Sequence, residues 1–168
     1  MPSRNRTILE EEFSKADDVF LNKSVEYFQE LDRTGWSDWI PMMELQVKGY
    51  GEEPGVYEYL YRGNIIYVGQ SQSDIRGRTN AFRNQVKYGL KNPNHRYTES
   101  HAKKWVKEKQ KLPYGIKVRY CPCFYRLSKE YENWRISTFY MKNEETPRYN
   151  ANKIKELKYL LECCSEFL

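Results

Sequence analysis

The chain has 168 residues, of which 39% are hydrophobic, and its net charge is +5. This length suits one domain, or a small domain with an extension, that buries a core without disulfides. Its apolar runs are too short to span a bilayer, and segment 1–12 is charged where a secretory signal would be apolar. We therefore expect an intracellular protein, of the cytoplasm or of the nucleus or nucleoid, that has no membrane partner.

The charge is distributed unevenly along the chain. Residues 1–61 hold 6 Lys/Arg against 13 Asp/Glu, a net of −7, whereas residues 62–119 hold 14 against 3, a net of +11. Residues 120–168 are close to neutral, with 8 against 7. A basic block of this size is compatible with phosphate binding and equally with a solvated, lysine-rich face, which is the commoner case in proteins at large. The 15 tyrosines and four tryptophans of the chain shift the balance toward nucleic acid.

Hydrophobic periodicity predicts the elements in chain order. The spacing of apolar residues predicts a helix over about 15–33, and the aromatic-rich segment 35–41 is expected to be irregular. A β-rich hairpin follows over 56–68 with its turn at 62–64, then two helices, a strand at 116–120, a helix capped by Ser128 and ending near Lys142, and a C-terminal helix.

This order predicts an α+β fold, a three-stranded antiparallel sheet (the hairpin plus a third strand) flanked by helices. We divide the chain into an N-terminal helical extension packed on the core (1–50), a central domain (51–152) and a C-terminal helix (153–168).

Two tyrosines in the hairpin are the first candidates for chemistry. Tyr57 ends the tripeptide Gly55-Val56-Tyr57, and Tyr67 begins Tyr67-Val68-Gly69. On paired strands these side chains can project from the same face, so that their hydroxyls share one site. The two glycines, Gly55 and Gly69, permit close approach of the backbone there.

An arginine and a glutamate further along the chain complete a candidate site. Arg78 lies in the first turn of the helix predicted after the hairpin, where a guanidinium can hold a phosphate through bidentate hydrogen bonds. Arg76, in the same turn, is a rival for this role. Glu132, with Glu130 as its competitor, offers a carboxylate that can anchor one Mg²⁺. The remaining candidates for nucleic-acid binding are basic or polar residues after the hairpin: Arg76, Arg83, Lys87, His101, Lys103, Lys104 and Asn150.

Over roughly residues 55–150 the chain resembles the GIY-YIG endonucleases. The two tripeptides, Arg78 after Ile75, Tyr131-Glu132-Asn133 and Asn150 follow the order of that family's motifs. The resemblance implies a divalent-metal-dependent endonuclease that hydrolyses DNA phosphodiester bonds with Mg²⁺, for which Mn²⁺ substitutes. Tyr57 would act as general base, Tyr67 would hydrogen-bond the nucleophile or the phosphate, Arg78 would stabilise charge, and Glu132 would bind the metal.

Two other classes of function stay open on the sequence alone. The spacing between the motifs differs from the commonest members, and Phe82 stands where many carry His or Tyr, which is compatible with a catalytically inactive nucleic-acid-binding module. A protein-interaction domain without DNA affinity is the third hypothesis. The expected partner under the first is DNA, with a homodimer expected if the enzyme makes double-strand breaks.

Overall fold

The computed structural model describes residues 21–45 and 49–153, with side chains over 24–45 and 49–150. Over these residues four α-helices surround one antiparallel sheet, so the predicted α+β class is confirmed. The helices are α1 (Leu21–Thr34), α2 (Ile75–Lys91), α3 (Ser100–Lys109) and α4 (Ser128–Asn143). The strands are β1 (Ile40–Pro41), β2 (Gly55–Tyr61), β3 (Asn64–Ser71) and β4 (Ile116–Pro122). Short 3-10 helices cover Met42–Glu44, Tyr125–Leu127 and Arg148–Lys153.

The sheet has four strands in the order β1-β4-β2-β3, so the prediction of three strands is wrong. The additional strand is β1, in which Ile40 pairs with Val118 and Pro41 with Lys117. Two residues are too few to show an alternating pattern, and a proline, which lacks an N–H, is tolerated because β1 is an edge strand.

The hairpin connects β2 to β3 through a two-residue turn. Arg62 and Gly63 both have positive φ, +52° and +80°, as in the turn type that matches the twist of paired strands. A bulge follows, because Tyr59 pairs with Tyr67 whereas Leu60 pairs with Ile65, which leaves Ile66 as the extra residue.

Two hydrophobic cores lie on opposite faces of the sheet. Tyr57 and Tyr59 face the front core, which contains Phe82 of α2 and Trp105 of α3. Val56 and Val68 face the back core together with side chains of α1 and α4, among them Phe28, Leu31, Tyr131 and Trp134. Because the sheet is covered on both faces, its interior strand β2 is almost entirely buried.

The described part of the predicted N-terminal extension contributes side chains to both the front core and the back core. Helix α1 packs in the back core, and the segment after it contributes strand β1 and the buried side chains of Met42 and Leu45 to the front. The predicted helix over 15–33 is described from Leu21 onward, and the C-terminal helix over 153–168 lies outside the described residues after Lys153.

Helix α4 begins at Ser128, but not through the cap that the sequence predicts. Leu127 occupies the N-cap position without a side-chain hydrogen bond. The Ser128 hydroxyl instead contacts Gln70 Oε1 at 3.0 Å, which fixes the start of α4 to the end of β3. Over the described residues, no helix has the length and apolar character that crossing a membrane requires.

Candidate active site

Three tyrosines form a cluster on the front face of the hairpin. Tyr57 and Tyr67 have ring centroids 6.0 Å apart, which confirms that they share a face. Tyr59 lies 5.4 Å from each of them and is fully buried. Its position was available from the sequence, because a residue two places after Tyr57 on a strand projects from the same face.

Gly69 creates the space that the two candidate tyrosines occupy. A Cβ atom at this position would lie 2.5 Å from Cζ of Tyr57 and 2.7 Å from Cε1 of Tyr67. Gly55 serves a different purpose, since its Cβ would collide with the Cys121 carbonyl oxygen and the Pro122 backbone of β4. The glycines of both tripeptides are therefore required by close approach, as the sequence predicts.

Helix α2 carries Arg78 to the edge of the tyrosine cluster. The helix starts at a fixed place because the Asp74 side chain accepts a hydrogen bond from the Gly77 N–H and Arg76 N donates to the Gly51 carbonyl at 2.8 Å. Ile75 is fully buried beside this start and so sets the rotation of the helix. Arg78, one turn further on, is half exposed and acts electrostatically on the pKa of Tyr57 and Tyr67.

The structure separates the two arginines that compete for the phosphate role. Arg76 forms an ion pair with Glu52 at 2.7 Å, whereas Arg78 Nη1 lies 3.1 Å from Glu99 Oε1. Arg78 is thus the arginine beside the tyrosines. Glu99 was not predicted as a residue of the site. It is one of only three acidic residues within 62–119, and this rarity is a signal in the sequence that could have identified it.

His101 is buried, so the surface position that its basic sequence context predicts is wrong, whereas its predicted role in nucleic-acid binding stays a prediction. Its ring is stacked between Tyr67, at 4.0 Å, and Phe82, at 4.9 Å. Nδ1 lies 3.7 Å from Glu99, and Nε2 has no hydrogen-bond partner over the described residues. Burial, together with the charges of Arg78 and Lys104, lowers the pKa of His101 to about 3. The imidazole is therefore neutral and supports the Tyr67 ring.

Helix α4 brings Glu132, and not Glu130, toward Tyr67. Glu132 is 5% exposed, and the charge of its carboxylate contributes to the raised pKa of Tyr67. Glu130 is exposed on the other side of the helix. Glu132 lies between the buried residues Tyr131 and Trp134, and their packing in the back core orients the helix that carries it.

Burial makes the phenols of the site harder to ionise than a free tyrosine. Burial first, then the neighbouring phenols, raise the pKa of Tyr57 well above its usual range, and Arg78 acts in the opposite direction. Burial and the carboxylates of Glu132 and Glu99 raise the pKa of Tyr67. A phenol in this site can lose its proton only where additional positive charge is supplied.

The oxygen donors present fit a hard divalent cation with few protein ligands. Glu132 supplies a carboxylate whose charge acts on the phenol of Tyr67, and Mg²⁺ commonly takes one or two carboxylates with waters and phosphate oxygens in the remaining positions. Over residues 21–45 and 49–153, no three His, Cys, Asp or Glu side chains are grouped as a cage of protein ligands.

Asn150 holds a neighbouring strand in the structure, and its predicted contact with nucleic acid stays a prediction. Its side-chain oxygen accepts a hydrogen bond from Val68 N at 2.8 Å, and its nitrogen donates to Val68 O at 2.8 Å. Asn150 is 3% exposed and thus pairs with the outer edge of β3 in place of a further strand.

The other predicted nucleic-acid contacts differ in how accessible they are. Arg83 is held by Met42 O at 3.1 Å and Asn80 Oδ1 at 2.7 Å. Lys87 and Lys103 are exposed, and Lys104 is half-buried next to His101. Their predicted role in binding stays a prediction.

Comparison with known proteins gives no match, whether to family models, to curated proteins or to solved structures.

Proposed function

We propose that the protein is a divalent-metal-dependent endonuclease that hydrolyses phosphodiester bonds of DNA. The observation that carries this proposal is the Tyr57–Tyr67 pair, whose ring centroids lie 6.0 Å apart on one face of the hairpin. Arg78 of α2 acts electrostatically on the pKa of both phenols, and Glu132 of α4 acts on that of Tyr67, which supports a site shared by these elements. The GIY-YIG-like order of the same residues in the sequence supports the same proposal.

Arg78 binds the scissile phosphate in this proposal. Its side chain is 50% exposed, and its charge acts on the pKa of the buried Tyr57 and of the half-buried Tyr67. In the absence of substrate it pairs with Glu99, and a phosphodiester would replace that carboxylate with an oxyanion of similar geometry. Arg78 would then stabilise the negative charge that develops during in-line attack.

Tyr57 accepts the proton of the attacking water, and Tyr67 positions the water or the phosphate. Tyr57 can act in this way only as a phenolate, and Arg78 is the group of this chain that favours its ionisation. Mg²⁺ or Mn²⁺ bound at Glu132 would supply positive charge that neutralises the phosphate and the leaving oxygen. We therefore expect cleavage to accelerate as the pH rises above neutrality.

A second candidate, an inactive nucleic-acid-binding module, is favoured by one specific observation. Tyr57 is 1% exposed and its pKa is raised, so as described it is a neutral, enclosed phenol. Such a protein would bind DNA in a salt-sensitive way and leave it intact under every divalent metal.

A cleavage assay on duplex, nicked, branched and single-stranded DNA, and on RNA, with Mg²⁺ and with Mn²⁺, tests the proposal. We expect DNA cutting that depends on the metal. Arg78→Ala should reduce the rate by about 100-fold or more, because charge stabilisation in the transition state is lost. Arg76→Ala, which removes the same charge two residues earlier, should have a smaller effect. An equal loss in both variants would show that the arginines contribute only general positive charge.

A further inference from the structure

Glu99 lies immediately before α3, in a loop whose backbone is held by α2. The N–H groups of Thr98 and Glu99 both donate to Gln85 Oε1 of α2, at 2.9 and 3.0 Å. Glu99 occupies the N-cap position of α3, but its side chain makes no capping hydrogen bond to the first turn of that helix, which the structure describes in full. Gln85 therefore fixes the backbone, and the carboxylate serves a group other than the helix.

The Glu99 carboxylate lies between two donors. Its Oε1 accepts a hydrogen bond from Arg78 Nη1 at 3.1 Å, and its Oε2 lies 3.7 Å from Nδ1 of His101, which is too far for a hydrogen bond. The Arg78 side chain is 50% exposed and the His101 side chain 2%. The guanidinium can thus turn toward a ligand, whereas the imidazole is held between the rings of Tyr67 and Phe82.

His101 offers a donor to this carboxylate although it is neutral. A neutral imidazole carries its proton on one of the two nitrogens, and the carboxylate beside Nδ1 favours the proton there. Nε2 is then an acceptor, and among the described residues it has no hydrogen-bond partner. A shift of about 1 Å brings Oε2 of Glu99 into hydrogen-bond range of the Nδ1–H.

The other two acidic residues of segment 62–119 have structural partners. Asp74 caps α2, and Glu108 pairs with Arg148 at 3.0 Å. Glu99 differs from both because its partner is the arginine of the candidate active site.

Glu99 also opposes Arg78 in its electrostatic effect on the tyrosine cluster. The Glu99 charge raises the pKa of Tyr57 and Tyr67, and the Arg78 charge lowers both. While the two side chains are paired, the effect of Arg78 on the phenols is therefore partly cancelled.

We propose that Glu99 is a positioning residue that acts on the substrate phosphate through Arg78. In the free protein its carboxylate takes a hydrogen bond of the guanidinium that a phosphodiester oxygen would otherwise take, and so competes with nucleic acid. When a phosphate binds Arg78, the carboxylate turns to Nδ1 of His101 and stays hydrogen-bonded. The inference rests on the proposed function only in assigning the phosphate to Arg78.

Binding of a labelled DNA duplex and of a labelled branched DNA, measured by fluorescence anisotropy in EDTA at constant salt, tests the competition. We expect Glu99→Gln to bind at least about threefold more tightly than wild type, because the internal anion is removed. A residue that only supported the fold would weaken binding when it is substituted.

Glu108→Gln is the matched control for this variant. It removes the same charge from α3 and also breaks an ion pair with an accessible arginine. Its gain in affinity should be smaller than that of Glu99→Gln. An equal gain in both variants, no gain in Glu99→Gln, or no saturable binding by either wild type or Glu99→Gln would overturn the inference.

Arg78→Ala distinguishes competition from simple repulsion of DNA. If Glu99 competes for Arg78, Glu99→Gln should tighten binding by a larger factor in the presence of Arg78 than in Arg78→Ala. If the carboxylate merely repels DNA, its removal should help at least as much where no guanidinium neutralises it. The second result would contradict the proposal.

His101→Phe tests the second partner of the carboxylate. Phenylalanine retains the ring stacking but has no Nδ1–H, so the displaced carboxylate would lose its hydrogen bond. We expect His101→Phe to bind DNA at least about threefold more weakly than wild type. The same substitution should cost less in Glu99→Gln, because a neutral amide is less costly to leave unpaired than a carboxylate. Unchanged affinity in His101→Phe would overturn the role of His101.

These results separate the role of Glu99 from the proposed function. Tighter binding by Glu99→Gln, in a protein that cuts no DNA with any divalent metal, would support the role of Glu99 and refute the cleavage. Metal-dependent cutting by wild type, together with unchanged affinity in Glu99→Gln, would do the reverse.

Discussion

Gly69 determines whether Tyr57 and Tyr67 can lie side by side. In Gly69→Ala the new methyl group would lie 2.5 Å from one ring and 2.7 Å from the other, so both rings must shift. We expect a loss of about 1 to 3 kcal/mol in the free energy of unfolding. We also expect the cleavage activity to fall by more than the unfolded fraction of the variant accounts for. Urea unfolding and the cleavage assay measure the two effects.

Gly63→Asn is the matched control for this substitution. Gly63 has φ +80° and nothing within 4 Å of an added Cβ, and asparagine tolerates this backbone conformation. If Gly69→Ala is as harmless as Gly63→Asn, the tyrosine pair does not depend on the space at Gly69.

His101 makes the stability of the protein depend on pH. Its pKa is lowered from 6.5 to about 3 in the folded protein, so between these values the unfolded chain binds a proton that the folded protein does not. Stability should therefore fall as the pH decreases from about 6.5 toward 3, by up to about 1.4 kcal/mol per pH unit. This loss should be smaller in His101→Phe, which retains the stacking with Tyr67 and Phe82.

Chemical unfolding of both proteins at several pH values between 7 and 4 measures this difference. A constant gap between wild type and His101→Phe over the whole range would mean that the imidazole titrates normally in the folded protein.

The sequence predicted some residues of the candidate site better than others, for physical reasons. Tyr57 and Tyr67 were predictable because the alternation of a strand fixes which side chains share a face. Residues such as Glu99 and His101 come from a loop and a helix whose position depends on packing in three dimensions. A basic sequence context suggested that His101 was exposed, whereas the structure places it between two aromatic rings.

Among the elements, β3 is an edge strand that depends on one side chain. Asn150 satisfies both backbone groups of Val68, each at 2.8 Å. Asn150→Ala should lower the free energy of unfolding by about 2 to 4 kcal/mol, because a buried N–H and a buried C=O lose their partners. Hydrogen exchange at Val68 should accelerate more than exchange at Glu58 on the neighbouring strand. Equal acceleration at both amides would contradict a local role for Asn150.

The back face of the sheet is joined to α4 and α1 by a buried ion network. Glu58, 1% exposed, accepts hydrogen bonds from Arg119 at 2.6 Å and from Arg135 at 2.9 Å. Arg135 also contacts Asp32 of α1 at 3.0 Å. The strands and both helices are thus connected through fully paired charges, which supports the orientation of α4.

Removal of Glu58 should be strongly destabilising. Glu58→Gln leaves the half-buried guanidinium groups of Arg119 and Arg135 without their shared carboxylate, so we expect a loss of about 3 kcal/mol in the free energy of unfolding. Arg33→Ala provides the comparison, because it breaks a pair whose arginine is 70% exposed and should change stability by less than about 1 kcal/mol. Similar values for the two variants would show that the network contributes little.

At the scale of the whole molecule, the sequence predicted the fold class, the hairpin and the four described helices. Each of these helices has one buried face, and this face produces the periodic spacing of apolar residues that is visible in the sequence. Strand β1 was missed because its pairing with β4 depends on contacts distant in sequence. The convergence of α2 and α4 on the hairpin is likewise a property of tertiary packing. The sequence could order Arg78 and Glu132 along the chain but could not place them beside Tyr67.

Cleavage of supercoiled plasmid DNA by Glu132→Gln and Glu130→Gln, in parallel with wild type and in the presence of Mg²⁺, tests the proposed active site most directly. The two substitutions remove the same charge from the same helix, but Glu132 is buried and its charge acts on the pKa of Tyr67, whereas Glu130 is exposed. We expect wild type and Glu130→Gln to cut at similar rates and Glu132→Gln, folded by circular dichroism, to lose at least about 100-fold in rate. Full activity in Glu132→Gln, or no cutting by the wild-type protein with any divalent metal, would contradict the account.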